Sequence, residues 1–141
     1  MPPHTLDTHV TWTDATPANR AMLHFAPQQQ AERTLDVGTD DDAAAPSPHD
    51  LLDAALASCT ALTLRLYAAR RGIALRGVDV SVSHETVNGV YRMARVLDID
   101  ADLTDAERAT LLRVADACPV HKTLSGEIEI STLAKPRGEA A

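Results

Sequence analysis

Ser47-Pro48-His49-Asp50-Leu51-Leu52-Asp53-Ala54-Ala55-Leu56-Ala57-Ser58-Cys59-Thr60-Ala61-Leu62-Thr63-Leu64-Arg65-Leu66-Tyr67-Ala68-Ala69-Arg70-Arg71-Gly72 reads as a single helix. Ser47 suits the N-cap, Pro48 the first helical position, and Asp50 can close a capping box three residues on. Gly72 is placed to end the helix in a left-handed conformation. Asp50 and Asp53 lie at the positive end of the helix dipole, and Arg65, Arg70 and Arg71 towards the negative end. Between them the surface is apolar nearly all round, which predicts burial on most faces. At 1.5 Å per residue the helix spans roughly 35 Å, about the width of a small domain. Asp53, Arg65 and the abundance of alanine argue against a membrane span. The reading is a central core helix with Cys59 near its middle.

The chain has 141 residues, a length that fits one domain over residues 1–141, with 1–8 and 135–141 expected to be flexible. It has one Phe, one Trp and two Tyr, so Leu, Ala and Val must fill the core. Such a core is marginal alone, and an oligomer covering the central helix would help it. A net charge of −7 with no basic stripe argues against a nucleic-acid partner. With no signal peptide and no membrane segment in view, a cytoplasmic protein without a membrane partner is expected. In that reducing compartment Cys59 and Cys118 are either inert core thiols or a redox-active pair.

Outward from the helix, three short strands precede it: His9 to Asp14, Ala21 to Phe25 across a turn at Pro17-Ala18-Asn19, and Thr34 to Val37. Asp40-Asp41-Asp42-Ala43-Ala44-Ala45-Pro46 is an acidic, solvated loop. After Gly72 come Val78, Val80 and Val82 in alternation with polar residues, the period of a half-buried strand. Asn88-Gly89 marks a hairpin turn. The return strand runs from Val90 to about Ala101, with a bulge around Ala94 to Val96 where alternation falters. Thr104-Asp105-Ala106-Glu107 is a second capping box, opening a helix that ends near Ala117. Pro119 to Leu124 forms a short helix with Cys118 at its N-cap. Glu127 to Leu133 alternates as a last edge strand. Strands grouped with strands predict an α+β fold with antiparallel sheet.

Pro48-His49-Asp50-Leu51-Leu52-Asp53-Ala54-Ala55-Leu56-Ala57-Ser58-Cys59, together with Cys118-Pro119-Val120-His121-Lys122-Thr123-Leu124, resembles the OsmC/Ohr family of osmotically induced and organic hydroperoxide resistance proteins, in a divergent OsmC-like branch. The resemblance runs from about Pro46 to Leu133. It implies an intertwined homodimer in which long central helices pack on antiparallel sheet. It also implies a thiol-dependent peroxidase for organic hydroperoxides, with no metal or organic cofactor. Cys59 would be the peroxidatic thiol and Cys118 the resolving one, and an external dithiol reductant, lipoyl-type, would restore the pair. Arg20 is the best match to the family's activating arginine, with Arg33 as fallback. The hydroperoxide-resistance branch has a glutamate where this chain has His49; His49 or Asp50 would then support the arginine, with Asp53 as a further substitute.

The chemistry needs a thiolate, and a free cysteine with pKa about 8.5 is only a few per cent ionised at neutral pH. Bringing it to about 6 takes roughly 3.4 kcal/mol. Cys118 has a local source in the helix it caps, whereas Cys59, in mid-helix, needs a cation from elsewhere in the chain. Two other readings stand beside the peroxidase. One is a non-catalytic small-molecule binding protein on the same fold, its thiols inert. The other is a zinc site assembled from Cys118, His121, Cys59 and His49.

Overall fold

The structure is a computed structural model that describes residues 7–26 and 33–136. In chain order it contains strands β1 (Asp7–Thr11), β2 (Arg20–Ala26) and β3 (Arg33–Gly38), and helix α1 (Pro48–Arg71). Strands β4 (Gly77–Val87) and β5 (Val90–Asp100) follow, then helices α2 (Asp105–Asp116) and α3 (Pro119–Ser125). This is the expected α+β arrangement. Contacts divide the chain into two compact units, Met1–Ala55 with Ser83–Met93, and Leu56–Val82 with Ala94–Ala141. The division cuts across α1 and both strands of the hairpin.

In the first unit β1, β2 and β3 form an antiparallel sheet in that order, with Thr11 opposite Met22 and Ala21 opposite Val37. Leu23 and Val37 are its buried apolar side chains. Strand β1 begins at Asp7, so Asp7 and Thr8 belong to the sheet rather than to a loose end. The rest of the expected N-terminal flexible segment, residues 1–6, lies outside the described residues, as do residues 137–141 of the tail. Trp12, just past β1, is 72% exposed.

The start of α1 is capped reciprocally: the Asp50 N–H donates to Ser47 Oγ at 3.1 Å and the Ser47 N–H to Asp50 Oδ2 at 2.9 Å. One turn later Asp53 is buried and accepts hydrogen bonds from His84 Nδ1 and, at 3.4 Å, from the Tyr91 hydroxyl. His84 and Tyr91 flank the hairpin tip, where Asn88 and Gly89 both have positive φ, 52° and 78°. Two such residues make the primed turn that suits the twist of paired strands. The rings of His49, His84 and Tyr91 cluster with centroids 5.3 to 5.7 Å apart, Tyr91 stacked on each histidine and the two histidines tilted against one another. The hydrogen bond and charge of Asp53 raise the His84 pKa against the opposing effect of burial.

In the second unit α1 buries one stripe, Leu56, Thr60, Leu64 and Ala68, each four residues after the last. Burial on most faces was expected; the single chain covers one face, and Leu62 and Leu66 remain 60% and 57% exposed. Leu64 of that stripe packs against Leu111 and Ala115 of α2, and Leu62 and Leu66 lie off it. Leu64, Leu111 and Ala115 form the core, with Tyr67, Val78, Leu97, Ile99 and Val114 packed around them. Gly72 ends α1 at φ +69°, and α2 opens on the reciprocal Thr104–Glu107 capping box.

Two expectations in this unit are corrected. No bulge interrupts β5: exposed and half-buried residues alternate without a break from Val90 to Asp100. The faltering pattern is one arginine, Arg95, on the inward row. Glu127 to Leu133 does not form an edge strand; it carries no regular structure, with Ile130 86% and Leu133 98% exposed. Alternation makes a face, but a strand also needs an edge to pair its N–H and C=O groups. Among the described residues none pairs with this segment.

Leu111→Ala removes a fully buried side chain and is expected to destabilise the fold by about 2–5 kcal/mol in urea unfolding. The Asp53–His84 pair predicts a pH dependence. A raised folded pKa contributes stability that is complete below the ordinary His value of about 6.5. That contribution disappears as pH rises through the raised folded value. The urea midpoint of the wild type should therefore exceed that of His84→Asn in acid, with the gap closing as pH rises past neutrality.

Candidate functional site

Cys59 projects from the middle of α1 and is half-buried, and Cys118 is fully buried at the start of α3. The long helix supplies the first sulfur. The Ala117-Cys118-Pro119 break between α2 and α3 turns the second one back toward it. Cys118 is the N-cap of α3, and its Sγ accepts the His121 N–H at 3.3 Å. Thr60, next in sequence to Cys59, sits 3.7 Å from Cys118 Sγ through its hydroxyl, which also donates to the Leu56 carbonyl at 2.7 Å. The Cys59 Sγ is 4.0 Å from Thr63 Oγ1, and the Cys59 thiol is among the groups that act on the Cys118 sulfur.

Burial pushes the Cys118 thiol up. The His121 N–H, the Thr60 hydroxyl, the Cys59 thiol and the charge of Arg95 together outweigh burial and hold it below the ordinary value. Hydrogen bonds to the charged form and a nearby cation favour the thiolate.

Arg95 is the residue that sequence reasoning missed. Its Nη1 donates to Thr60 Oγ1 at 3.1 Å and to the Ala115 carbonyl at 3.2 Å. Its Nη2 donates to Asp116 Oδ1 at 2.8 Å and contacts His121 Nδ1 at 3.1 Å. The signal was present in the period of β5: counting by twos from Tyr91 gives Tyr91, Met93, Arg95, Leu97 and Ile99 on one face. A cation in an otherwise apolar row marks a place where charge is wanted.

Arg20, the arginine expected from the resemblance, lies in the first unit and is gripped there by a carboxylate. Asp42 receives both its Nε and, at 3.2 Å, its Nη2, and Asp36 lies 3.6 Å from Nη1. The Arg20 hydrogen bond, with help from the Ala44 N–H, holds the Asp42 carboxyl below the usual range. Gly38 makes room for this, since a Cβ there would come within 3.0 Å of the Asp42 Cβ. The acidic loop thus supplies the group that orients Arg20, whereas His49 stacks on Tyr91 and is tilted against His84, and Asp50 caps α1. Arg33 is an exposed residue at the start of β3.

Asp50, Asp53 and His84 present ligand atoms within 4.8 Å of one another, the one such group among the described residues. Each carboxylate already has protein donors, Ser47 for Asp50 and His84 with Tyr91 for Asp53. Cys59, Cys118 and His121 do not make such a group, and Arg95 occupies His121 Nδ1. An apolar groove of about 320 Å³ in the first unit is lined by Val10, Leu23, Val37 and Leu51, with Arg20 beside them.

Comparison with solved structures places the fold. The chain superposes on an OsmC-like protein from Mycoplasma pneumoniae with a TM-score of 0.68 at 17% identity, covering 87% of this chain and 89% of the other. A protein from Psychrobacter arcticus, described as a putative osmotic stress induced and detoxification response protein, gives 0.64 at 24% identity, covering 82% and 85%. An organic hydroperoxide resistance protein OsmC from Legionella pneumophila gives 0.64 at 19% identity, covering 89% and 93%. No curated protein matches the chain. The family described as OsmC-like protein matches residues 38–133, from the end of β3 through α3 and both cysteines. With two thirds of its length and the whole Cys59–Cys118 framework inside that match, the chain belongs to the OsmC-like protein family.

Proposed function

We propose that the protein is a thiol-dependent peroxidase that reduces organic hydroperoxides through Cys59 and Cys118, as a cytoplasmic homodimer recharged by an external dithiol of the lipoyl type. The observation that carries this reading is that Cys118 is held below the ordinary thiol value, with the Cys59 thiol from a distant part of the chain among the groups that favour its charged form. The Legionella pneumophila relative, described as a hydroperoxide resistance protein and predicted redox protein, supports a peroxide-related role.

In this reading Cys59 reacts as its thiolate, the nucleophilic form of the side chain. Charge on Cys59 attacks the terminal oxygen of the hydroperoxide, the O–O bond breaks, and Cys59 becomes a sulfenic acid. The departing alkoxide takes the remaining thiol proton from Cys118 and leaves as the alcohol. The Cys118 thiolate then attacks the Cys59 sulfur, and hydroxide departs and is protonated to water. The product is a disulfide. A dithiol reduces it by exchange, with the low-pKa Cys118 favoured as leaving group. Arg20 enters this proposal through the resemblance, and Arg95 through its contacts.

The homodimer is supported by the open face of α1, where Leu62 and Leu66 stand exposed, and by the exposed apolar side chains of Ile128, Ile130 and Leu133. A second copy would bury both. A second functional reading, a non-catalytic small-molecule binding protein, is favoured by the apolar groove beside Arg20.

Reduced protein mixed with one equivalent of cumene hydroperoxide should lose both free thiols within seconds and regain them with dihydrolipoamide. Cys118→Ser should trap a sulfenic acid on Cys59, captured by dimedone and located by mass spectrometry. Retention of both thiols would instead favour the binding protein. For the assembly, sedimentation should give twice the 15.1 kDa of one chain, and Leu62→Glu with Leu66→Glu should shift the protein to monomer.

A further inference from the structure

The contact between Arg95 Nη2 and His121 Nδ1, at 3.1 Å, has only one workable proton arrangement. A guanidinium has five N–H donors and no acceptor. His121 Nδ1 must therefore accept, which makes the imidazole neutral with its proton on Nε2. A protonated ring would set N–H against N–H and positive charge against positive charge. The remaining terminal N–H groups of Arg95 go to Asp116, Thr60 and the Ala115 carbonyl. Of these, Thr60 and His121 also reach Cys118, Thr60 through its hydroxyl and His121 through its backbone N–H.

We infer that His121, in its neutral Nε2-protonated form, is the positioning residue for Arg95, holding the guanidinium against Thr60 beside Cys118. This role rests on the redox-pair reading above and gives it a specific electrostatic control. Arginine side chains are long and lose conformational freedom when fixed. Asp116 alone is a weak anchor, because its side chain is 69% exposed while that of Arg95 is 12% exposed. The imidazole adds a second, directional acceptor on the same nitrogen and fixes which way the planar fork faces. The charged and titratable groups that meet it are Arg95 from β5 and Cys118 at the start of its own helix, and Asp116 from the end of α2 shares the same guanidinium nitrogen. In the sequence, Cys118-Pro119-Val120-His121 puts this ring one helical turn after the sulfur, so one short segment supplies both the thiol and the support of its cation.

The test uses the Cys59→Ser protein, in which Cys118 is the sole thiol, and follows thiolate ultraviolet absorbance against pH. Arg95→Met and His121→Ala should each lower the thiolate fraction at neutral pH several-fold. Adding His121→Ala to Arg95→Met should change it little further, because the histidine acts through the arginine. His121→Asn, which offers an acceptor oxygen and cannot be protonated, should restore most of the thiolate. Additive effects, an unmoved titration in His121→Ala, or failure of His121→Asn to rescue would overturn the assignment. Nitrogen NMR of the unmutated protein supplies an arm independent of folding in the variants. An unprotonated Nδ1 at neutral pH is expected, and a protonated Nδ1 would overturn it. None of these measurements uses peroxide, so a failure here is distinct from a failure of the peroxidase reading.

Discussion

A cation on the inward row of a strand must be compensated or expelled, and the second unit is arranged around that demand. Arg95 stands between Met93 and Leu97 with its side chain 12% exposed. Leaving such a charge without partners would cost several kcal/mol. Three separate elements answer it: the Thr60 hydroxyl from α1, the Ala115 carbonyl and Asp116 carboxylate from α2, and the His121 ring from α3. One of these acceptors, Thr60, also lies 3.7 Å from Cys118 Sγ through its hydroxyl. Holding the helices together and biasing a thiol toward its charged form are therefore one arrangement.

The two arginines illustrate different ways of fixing a guanidinium. Arg20 is clamped in a two-point ion pair by Asp42, the geometry in which a planar fork matches a carboxylate. Gly38 permits the close approach. Arg95 is instead spread over four acceptors, only one of them charged. The first arrangement neutralises the arginine locally. The second leaves more of its field available to neighbouring groups, and Cys118 is the neighbour that responds.

Local chemistry made much of this legible before any coordinates. Ser47 with Asp50 and Thr104 with Glu107 are capping boxes in sequence and in space, because their partners are three residues apart. Asn88-Gly89 is a turn for the same reason, and Cys118-Pro119 announces the cap of α3. What escaped depends on partners distant in sequence. Asp42 looked like a solvated member of an acidic run, and only the folded loop brings it to Arg20, 22 residues away. Arg95 was read as a lapse in pattern, since a charge on an inward row makes sense only when its acceptors, 20 to 35 residues off, are in view. The segment from Glu127 to Leu133 shows the converse: strong alternation without a receiving edge yields no strand.

Trp12 gives the molecule a built-in optical label with an uneven view. It is the sole tryptophan, 72% exposed, and it belongs to the unit that contains the three-stranded sheet. The thiol-bearing unit holds no indole, and its one tyrosine is Tyr67, packed against the Leu64–Leu111 core. Fluorescence excited at the indole therefore reports from the unit that contains the sheet. Coincidence of that signal with the far-ultraviolet dichroism of the helices would be the signature of one cooperative transition shared by both halves of the chain.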